Sequence, residues 1–333
     1  MRTVIIAEAG VNHDGDVSKA LALVDAAAEA GADIVKFQTF QASALATAAA
    51  PRAAYQVRQT GSADSQLEML RRLELDPAAY ARLVERCAVR GVAFLSTAFD
   101  DASLDLLLRL DMPYFKVPSG EITNLPMLRR IGAAGRSVLL STGMASLGDI
   151  EAALEALEAA GTPRASVTVL HCTTEYPAPF DDVNLRAMVV MGAAFGTAVG
   201  YSDHTLGIEV PTAAVALGAT VIEKHVTLDR AAPGPDHAAS LEPAEFAAMV
   251  RAIRNVERCL GDGIKRPTAR ERANRIPARK SIVAARDLPA GHVLVDADLS
   301  VKRPGTGVSP MRWDEFIGRI TTRPYRADEA LDG

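Results

Sequence analysis

The chain has 333 residues, 49% of them hydrophobic and 23% charged, with a formal net charge of −5. That balance describes a globular protein with a substantial core; the acidic excess argues against a nucleic-acid surface, and no stretch reads as a signal peptide or a membrane span. The three cysteines, Cys87, Cys172 and Cys259, stand far apart with no CxxC pair, which argues against disulfides and a thiolate zinc site and fits a reducing cytoplasm.

From the N-terminus, short β-branched runs predict strands over residues 3–7, 32–37, 92–96, 113–117, 137–141, 166–171, 198–202 and 220–224. Between most of them, apolar residues at helical spacing predict helices, including 19–31, 102–110, 149–161 and 207–219, several of which close on glycine. Eight strands, apolar throughout because both faces are buried and joined by helical crossovers, indicate an α/β chain forming a (β/α)8 TIM barrel. An open doubly wound sheet would more naturally carry a glycine-rich phosphate loop after its first strand, and EAGVNHDGD at 8–16 lacks one. The segment 40–75 is too long for a plain connector, and excursions of that length on a barrel are often functional. After the last predicted barrel helix (242–263), a charged, proline-containing stretch reads as a linker. The predicted organisation is therefore a barrel over 1–263, a linker over 264–279, and a small β-rich appendage over 280–333.

Chemistry in such a barrel belongs at the C-terminal ends of the strands. Polar residues gather there on all eight: Glu8 and Asn12; Lys36 and Gln38; Ser96 and Thr97; Lys116, Ser119 and Glu121; Ser141 and Thr142; Thr174, Glu175 and Tyr176; Ser202, Asp203 and His204; Glu223, Lys224 and His225. One such end can be a salt-bridged core residue, but eight are hard to explain by packing alone. His204 and His225 end neighbouring strands, so their rings can converge on one ion. Two imidazoles with carboxylates, hydroxyls and water around them suit Mn²⁺ or Mg²⁺ better than a structural zinc. Taken without their placement, the two would read as hydrogen-bonded pocket lining. His13, His171, His237 and His292 read as structural, and Asp236 is within reach of a sugar hydroxyl.

Lys36 and Lys116 lie within apolar strands, where an unpaired ammonium is costly. One reading is an ion pair with Glu8 or Glu223. The other is a pair of cations that hold a phosphate and a carboxylate, helped by the hydroxyls of Ser119, Ser141 and Ser202. STGM at 141–144, just before a helix, adds backbone N–H groups for phosphate.

The ordered set IIAEAGVNHDG, VKFQTF, KVPSGE, LSTGM, HCTTEYPAPFDDVNL, GYSDHT, EKHVTLD, GPDHAAS and VKRPGTGVSP resembles the bacterial sialic acid (nonulosonic acid) synthases over nearly the whole chain. That resemblance implies condensation of phosphoenolpyruvate with an N-acylated mannosamine-type sugar: N-acetylmannosamine, giving N-acetylneuraminate, or its 2,4-diacetamido-2,4,6-trideoxy relative, giving N,N′-diacetyllegionaminate. It makes His204 and His225 ligands of a divalent metal, Mn²⁺ first, with Mg²⁺ or Co²⁺ as alternatives. Phosphoenolpyruvate would meet Lys36, Thr97, Lys116, Ser119, Ser141, Thr174 and Ser202. Glu8, Gln38, Tyr176 and Asp236 would contact the sugar. The appendage resembles the antifreeze-like (SAF, β-clip) domain of these enzymes, which in the family packs across a homodimer and would bring Arg303 to the partner's site.

On that basis the expected reaction is attack of the enol carbon on a metal-polarised aldehyde, followed by water addition and loss of phosphate by C–O cleavage. Glu121 is the first candidate to orient that water and Glu8 the second. Three alternatives stay open: a related synthase acting on an aldose phosphate, a metal-dependent sugar isomerase or epimerase, and a barrel that binds sugar without catalysis.

Overall fold

Runs of three to seven mostly apolar residues become strands when both faces are covered, and the alanine- and leucine-rich segments between them become the covering helices. The computed structural model describes residues 2–60 and 64–333. In chain order, the first unit holds β1 (Val4–Gly10), α1 (Val17–Glu29), β2 (Ile34–Thr39), α2 (Ala42–Leu45), α3 (Ala54–Thr60), α4 (Gln66–Leu73), α5 (Pro77–Arg90) and β3 (Ala93–Ala98). It continues through α6 (Asp101–Leu108), β4 (Phe115–Val117), α7 (Leu125–Ala133), β5 (Val138–Ser141), α8 (Leu147–Ala160) and β6 (Val167–Cys172). It ends with α9 (Arg186–Phe195), β7 (Ala198–Asp203), α10 (Glu209–Ala216), β8 (Val221–His225) and α11 (Pro243–Leu260).

All eight predicted strands are present and parallel, in the order β3-β2-β1-β8-β7-β6-β5-β4. β3 and β4 lie side by side with no ladder between them among the described residues, so the barrel is nearly closed. Local chemistry sets the helix ends. Asp76 caps α5 by accepting from Ala78 N, with Pro77 in the first turn and Gly91 left-handed at the far end. Ser65 and Glu68 close a capping box on α4.

The excursion after β2 folds as α2 to α4, apart from residues 61–63, which lie outside the described residues. It has its own apolar cluster, in which Met69, Leu70 and Leu73 of α4 join Phe40, Ala42, Ala46 and Val11.

The second compact unit runs from Asp262 to Gly333. The stretch expected as a linker contains a helix, α12 (Ala269–Ala278), begun by a Thr268/Glu271 capping box and exposed along its length. β9 (Ser281–Ala284) and β10 (Leu299–Lys302) pair antiparallel over a small core that includes Ile282, Leu288, Leu299, Phe316 and Tyr325. The side chain of Asp298 is fully buried in this unit. It accepts hydrogen bonds from Val295 N and from Arg286, and pairs with His292 Nε2 at 2.7 Å. Burial raises its pKa, but those donors outweigh it and hold the carboxyl down at about 2.

Candidate active site

Side chains alternate along a strand, so every second residue of β1, β2, β7 and β8 shares a face. Glu8, Lys36 and Gln38, Ser202 and Glu223, and the two histidines all reach one cavity of about 340 Å³. Thr97, Lys116, Ser119, Ser141, Thr174, Tyr176 and Asp236 also line it. The residues of opposite parity do other work. Asp203 and Lys224 pair with each other at 2.6 Å, both fully buried. Asn12 donates to the Val226 carbonyl and to Ser240; Ser96 bonds Thr39, and Thr142 donates to the Leu170 carbonyl. Glu175 pairs with Arg58 on α3. The polar ring read from the sequence is thus two sets, one lining the cavity and one engaged in structural pairs. Lys224, placed at the mouth by sequence, belongs to the second.

The structure shows the ion-pair reading of the lysines. Lys36 lies 2.8 Å from Glu8 Oε2 and 3.7 Å from Glu223 Oε1, while Lys116 lies 2.9 Å from that same Glu223 oxygen. Lys36 also donates to Thr97 Oγ1 at 3.2 Å, and Ser202 Oγ donates to Glu223 at 3.2 Å. None of the four charged side chains exceeds 5% exposure. The two acids differ sharply. Burial, aided by the nearby Glu223, lifts Glu8 to about 7 against the pull of Lys36. Burial also opposes charge on Glu223, but Lys116 and Lys36 overcome it and bring its pKa to about 2. Burial also works against both lysines: the two carboxylates hold Lys36 above its ordinary value, while Lys116, with Lys36 beside it, falls below its own. Glu8 sits in the range where a group can give or take a proton.

Beside the lysines is a hydroxyl-lined cradle. Gly143 N donates to Ser119 Oγ at 2.9 Å. A Cβ at Gly143 would overlap Thr174 Oγ1 and come within 2.8 Å of Ser119 Oγ. Among the described residues, Ser141 Oγ and Thr174 Oγ1 are buried without a hydrogen-bond partner, the condition of donors awaiting an anionic oxygen.

His204 and His225 converge, with ring centroids 5.3 Å apart, and Tyr176 lies 4.0 Å from the first ring and 5.6 Å from the second. His204 Nδ1 donates to the Thr173 carbonyl at 2.7 Å, so its Nε2 supplies the remaining lone pair. Burial, with His204 and Lys36 nearby, keeps the pKa of His225 well below its ordinary value. Its Nδ1 is buried without a hydrogen-bond partner, 3.8 Å from Asp236 Oδ2. His204 behaves differently. Burial opposes its charge, but Cys172 and the Thr173 carbonyl outweigh it and raise its pKa above the ordinary value. No group of three or more His, Cys, Asp or Glu side chains is arranged for a metal among the described residues. The two converging imidazoles are donors of the kind a divalent cation takes, and Nδ1 of His225 is left without a hydrogen-bond partner among the described residues.

One expected residue lies elsewhere. Glu121 does not line the cavity. The short turn Ser119–Glu121 sends Ser119 inward, while Glu121 accepts from Asn124 Nδ2 at 2.6 Å. Arg303 belongs to the second unit, where its Nε donates to the Ala278 carbonyl at 3.1 Å. The remaining histidines make structural contacts, although Nε2 of His13 is buried without a hydrogen-bond partner among the described residues. His237, for example, bonds Thr227 Oγ1 at 2.7 Å and lies 3.1 Å from Asp14.

Sequence reasoning missed the other wall. Val11, Tyr55, Gln56, Gln66, Met69, Leu70, Leu73 and Phe99 also face the cavity, mostly from the excursion. Tyr55 stacks on Tyr176 with centroids 4.9 Å apart. The length of 40–75 marked the segment as functional, but nothing in its residues said which face turns inward.

Known proteins resemble the chain along its length. The NeuB family model matches residues 23–265 and the SAF domain model residues 279–333. The chain is 50% identical to an N,N′-diacetyllegionaminic acid synthase of Campylobacter jejuni, over 99% of both chains. It is 44% identical to one from Legionella pneumophila, over 96% of this chain and 90% of that one. The crystal structure of an N-acetylneuraminic acid synthetase from Leptospira borgpetersenii, in complex with citrate, superposes with a TM-score of 0.72. It is 33% identical and covers 82% of this chain and 90% of that one. With the polar mouth of its barrel and these matches together, the chain belongs to the NeuB family and carries a SAF domain at its C-terminus.

Proposed function

We propose that this protein is a cytoplasmic nonulosonate synthase that condenses phosphoenolpyruvate with 2,4-diacetamido-2,4,6-trideoxymannose and water, releasing N,N′-diacetyllegionaminate and phosphate. The observation that carries this reading is the meeting, in one cavity, of a buried lysine pair beside a hydroxyl cradle with two converging histidines. The higher identity to two N,N′-diacetyllegionaminic acid synthases favours this acceptor over N-acetylmannosamine.

In this reading Lys36 and Lys116 neutralise the carboxylate and phosphate of phosphoenolpyruvate. Thr97, Ser119, Ser141, Thr174 and Ser202 hydrogen-bond its oxygens. Gln38, Tyr176 and Asp236 orient the sugar, and holding two polar reactants face to face supplies much of the acceleration. His204 and His225 hold a divalent cation, Mn²⁺ first with Mg²⁺ and Co²⁺ as alternatives, which when bound polarises the aldehyde oxygen as a Lewis acid.

C3 of phosphoenolpyruvate bonds to the aldehyde carbon, whose oxygen takes up a proton. Water then adds at C2 and gives up a proton, and the C2–O bond to phosphate breaks. Glu8, with a pKa of about 7, is the group placed to hold a proton between these steps, a role that passes to it from Glu121. We also propose a homodimer in which Arg303 of one protomer serves its partner's sugar site.

A phosphate-release assay tests this reading. Phosphoenolpyruvate is supplied with either aldose, with and without Mn²⁺, and the product is identified by mass. Release that requires both an aldose and a divalent cation is expected. No release with either aldose would refute the function.

A further inference from the structure

Phosphoenolpyruvate is small and highly charged, and the lysines and hydroxyls described above account for its polar atoms. It gives no reason for the apolar side of the cavity. Val11, Met69, Leu70 and Leu73 line that side at no more than 9% exposure each, together with Phe99. They come from the mouth loops of β1, β2 and β3, whereas Ser119, Ser141 and Thr174 come from those of β4, β5 and β6. The strand order sets β2, which bears most of this wall, across the barrel from β6. On α4 the spacing i, i+3, i+4, i+7 puts Gln66, Met69, Leu70 and Leu73 on one face, and that face looks into the cavity.

We propose that this wall determines acceptor specificity. It receives the C6 methyl and the 4-acetamido methyl of a 2,4-diacetamido-2,4,6-trideoxyhexose, and disfavours a hexosamine carrying hydroxyls at those carbons. The inference deepens the proposed function and rests on it. A hydroxyl pressed against Val11, Met69, Leu70 or Leu73 loses its water without a hydrogen bond from those side chains, whereas a methyl gains contact. A hydrophobic pocket discriminates by about 10- to 200-fold per group of this size.

The test compares kcat/KM for the two acceptors at saturating phosphoenolpyruvate, in wild type and in V11T, M69Q and M69L. Val11→Thr and Met69→Gln add polarity at nearly constant volume, and Met69→Leu restores an apolar side chain. Wild type is expected to prefer the diacetamido sugar by at least about 10-fold. V11T and M69Q should lower that preference by about 10-fold with the KM for phosphoenolpyruvate unchanged, and M69L should retain it. Melting temperatures identify any variant that fails to fold, in which case the other polar variant decides.

A wild type that uses N-acetylmannosamine equally well, or folded polar variants with an unchanged preference, would overturn the inference while leaving the synthase reading intact. Absence of phosphate release with either sugar overturns both.

Discussion

Asp203 on β7 and Lys224 on β8 are register partners whose side chains meet at 2.6 Å with neither exposed to solvent. Each directly precedes one of the converging histidines. Lys224→Met keeps the length and much of the volume of the buried stem, so the change is chiefly electrostatic. It leaves the Asp203 carboxylate buried without its cation. Removing one partner of a buried pair costs about 3–5 kcal/mol. Thr205 N and Oγ1 still donate to Asp203 Oδ1 at 2.9 and 2.8 Å, which points to the lower figure, about 3 kcal/mol. At about 2–4 °C per kcal/mol for a domain of this size, the melting temperature should fall by about 6–12 °C.

Differential scanning calorimetry of wild type, K224M and D203N/K224M measures this. The double variant removes the stranded charge but keeps a group that accepts from Thr205, and it should recover most of the loss. The pair also spans the two strands that carry His204 and His225, so Mn²⁺ affinity, titrated on the metal-free protein, should weaken in K224M. A loss below about 1 kcal/mol, or a double variant no more stable than the single one, would refute the argument from stranded charge.

Gly143→Ala places a methyl against Thr174 Oγ1 and Ser119 Oγ; steady-state kinetics should show the KM for phosphoenolpyruvate rising at least about 10-fold, with the KM for the sugar little changed. His225→Ala should abolish metal-dependent phosphate release and the Mn²⁺-induced rise in melting temperature, and a variant still stabilised by Mn²⁺ would exclude His225 as a ligand. Asp298 has its folded pKa depressed from 3.8 to about 2, so the stability it contributes is present above 3.8 and disappears as pH falls toward 2. D298N should therefore be less stable than wild type by about 2 kcal/mol above about pH 5. In denaturant titrations the gap should close between pH 4 and pH 2, and a gap constant across that range would show that the carboxylate's charge is not its source.

Much of the fold is legible because it depends on local pattern. Eight short β-branched runs spaced by helical segments leave few architectures that cover both faces of every strand, and the parallel barrel is one of them. The histidine pair is legible for the same reason, since β7 and β8 are consecutive and both rings come at strand ends. Parity within a strand could also be read: Glu223 and His225 must share a face that Lys224 does not.

The tertiary structure alone decided which of those faces is the inner one, and so sent Lys224 to Asp203 rather than to the cavity. It also decided that Glu8 and not Glu121 stands at the site, because a single turn after β4 directs Ser119 inward and Glu121 to Asn124. Most of all it decided the far wall. The apolar pattern of α4 is that of any core-facing helix, and only its position above β2 makes part of that face a cavity lining. Sequence records that a side chain avoids water; whether it is covered by protein or by substrate depends on the position of every other element.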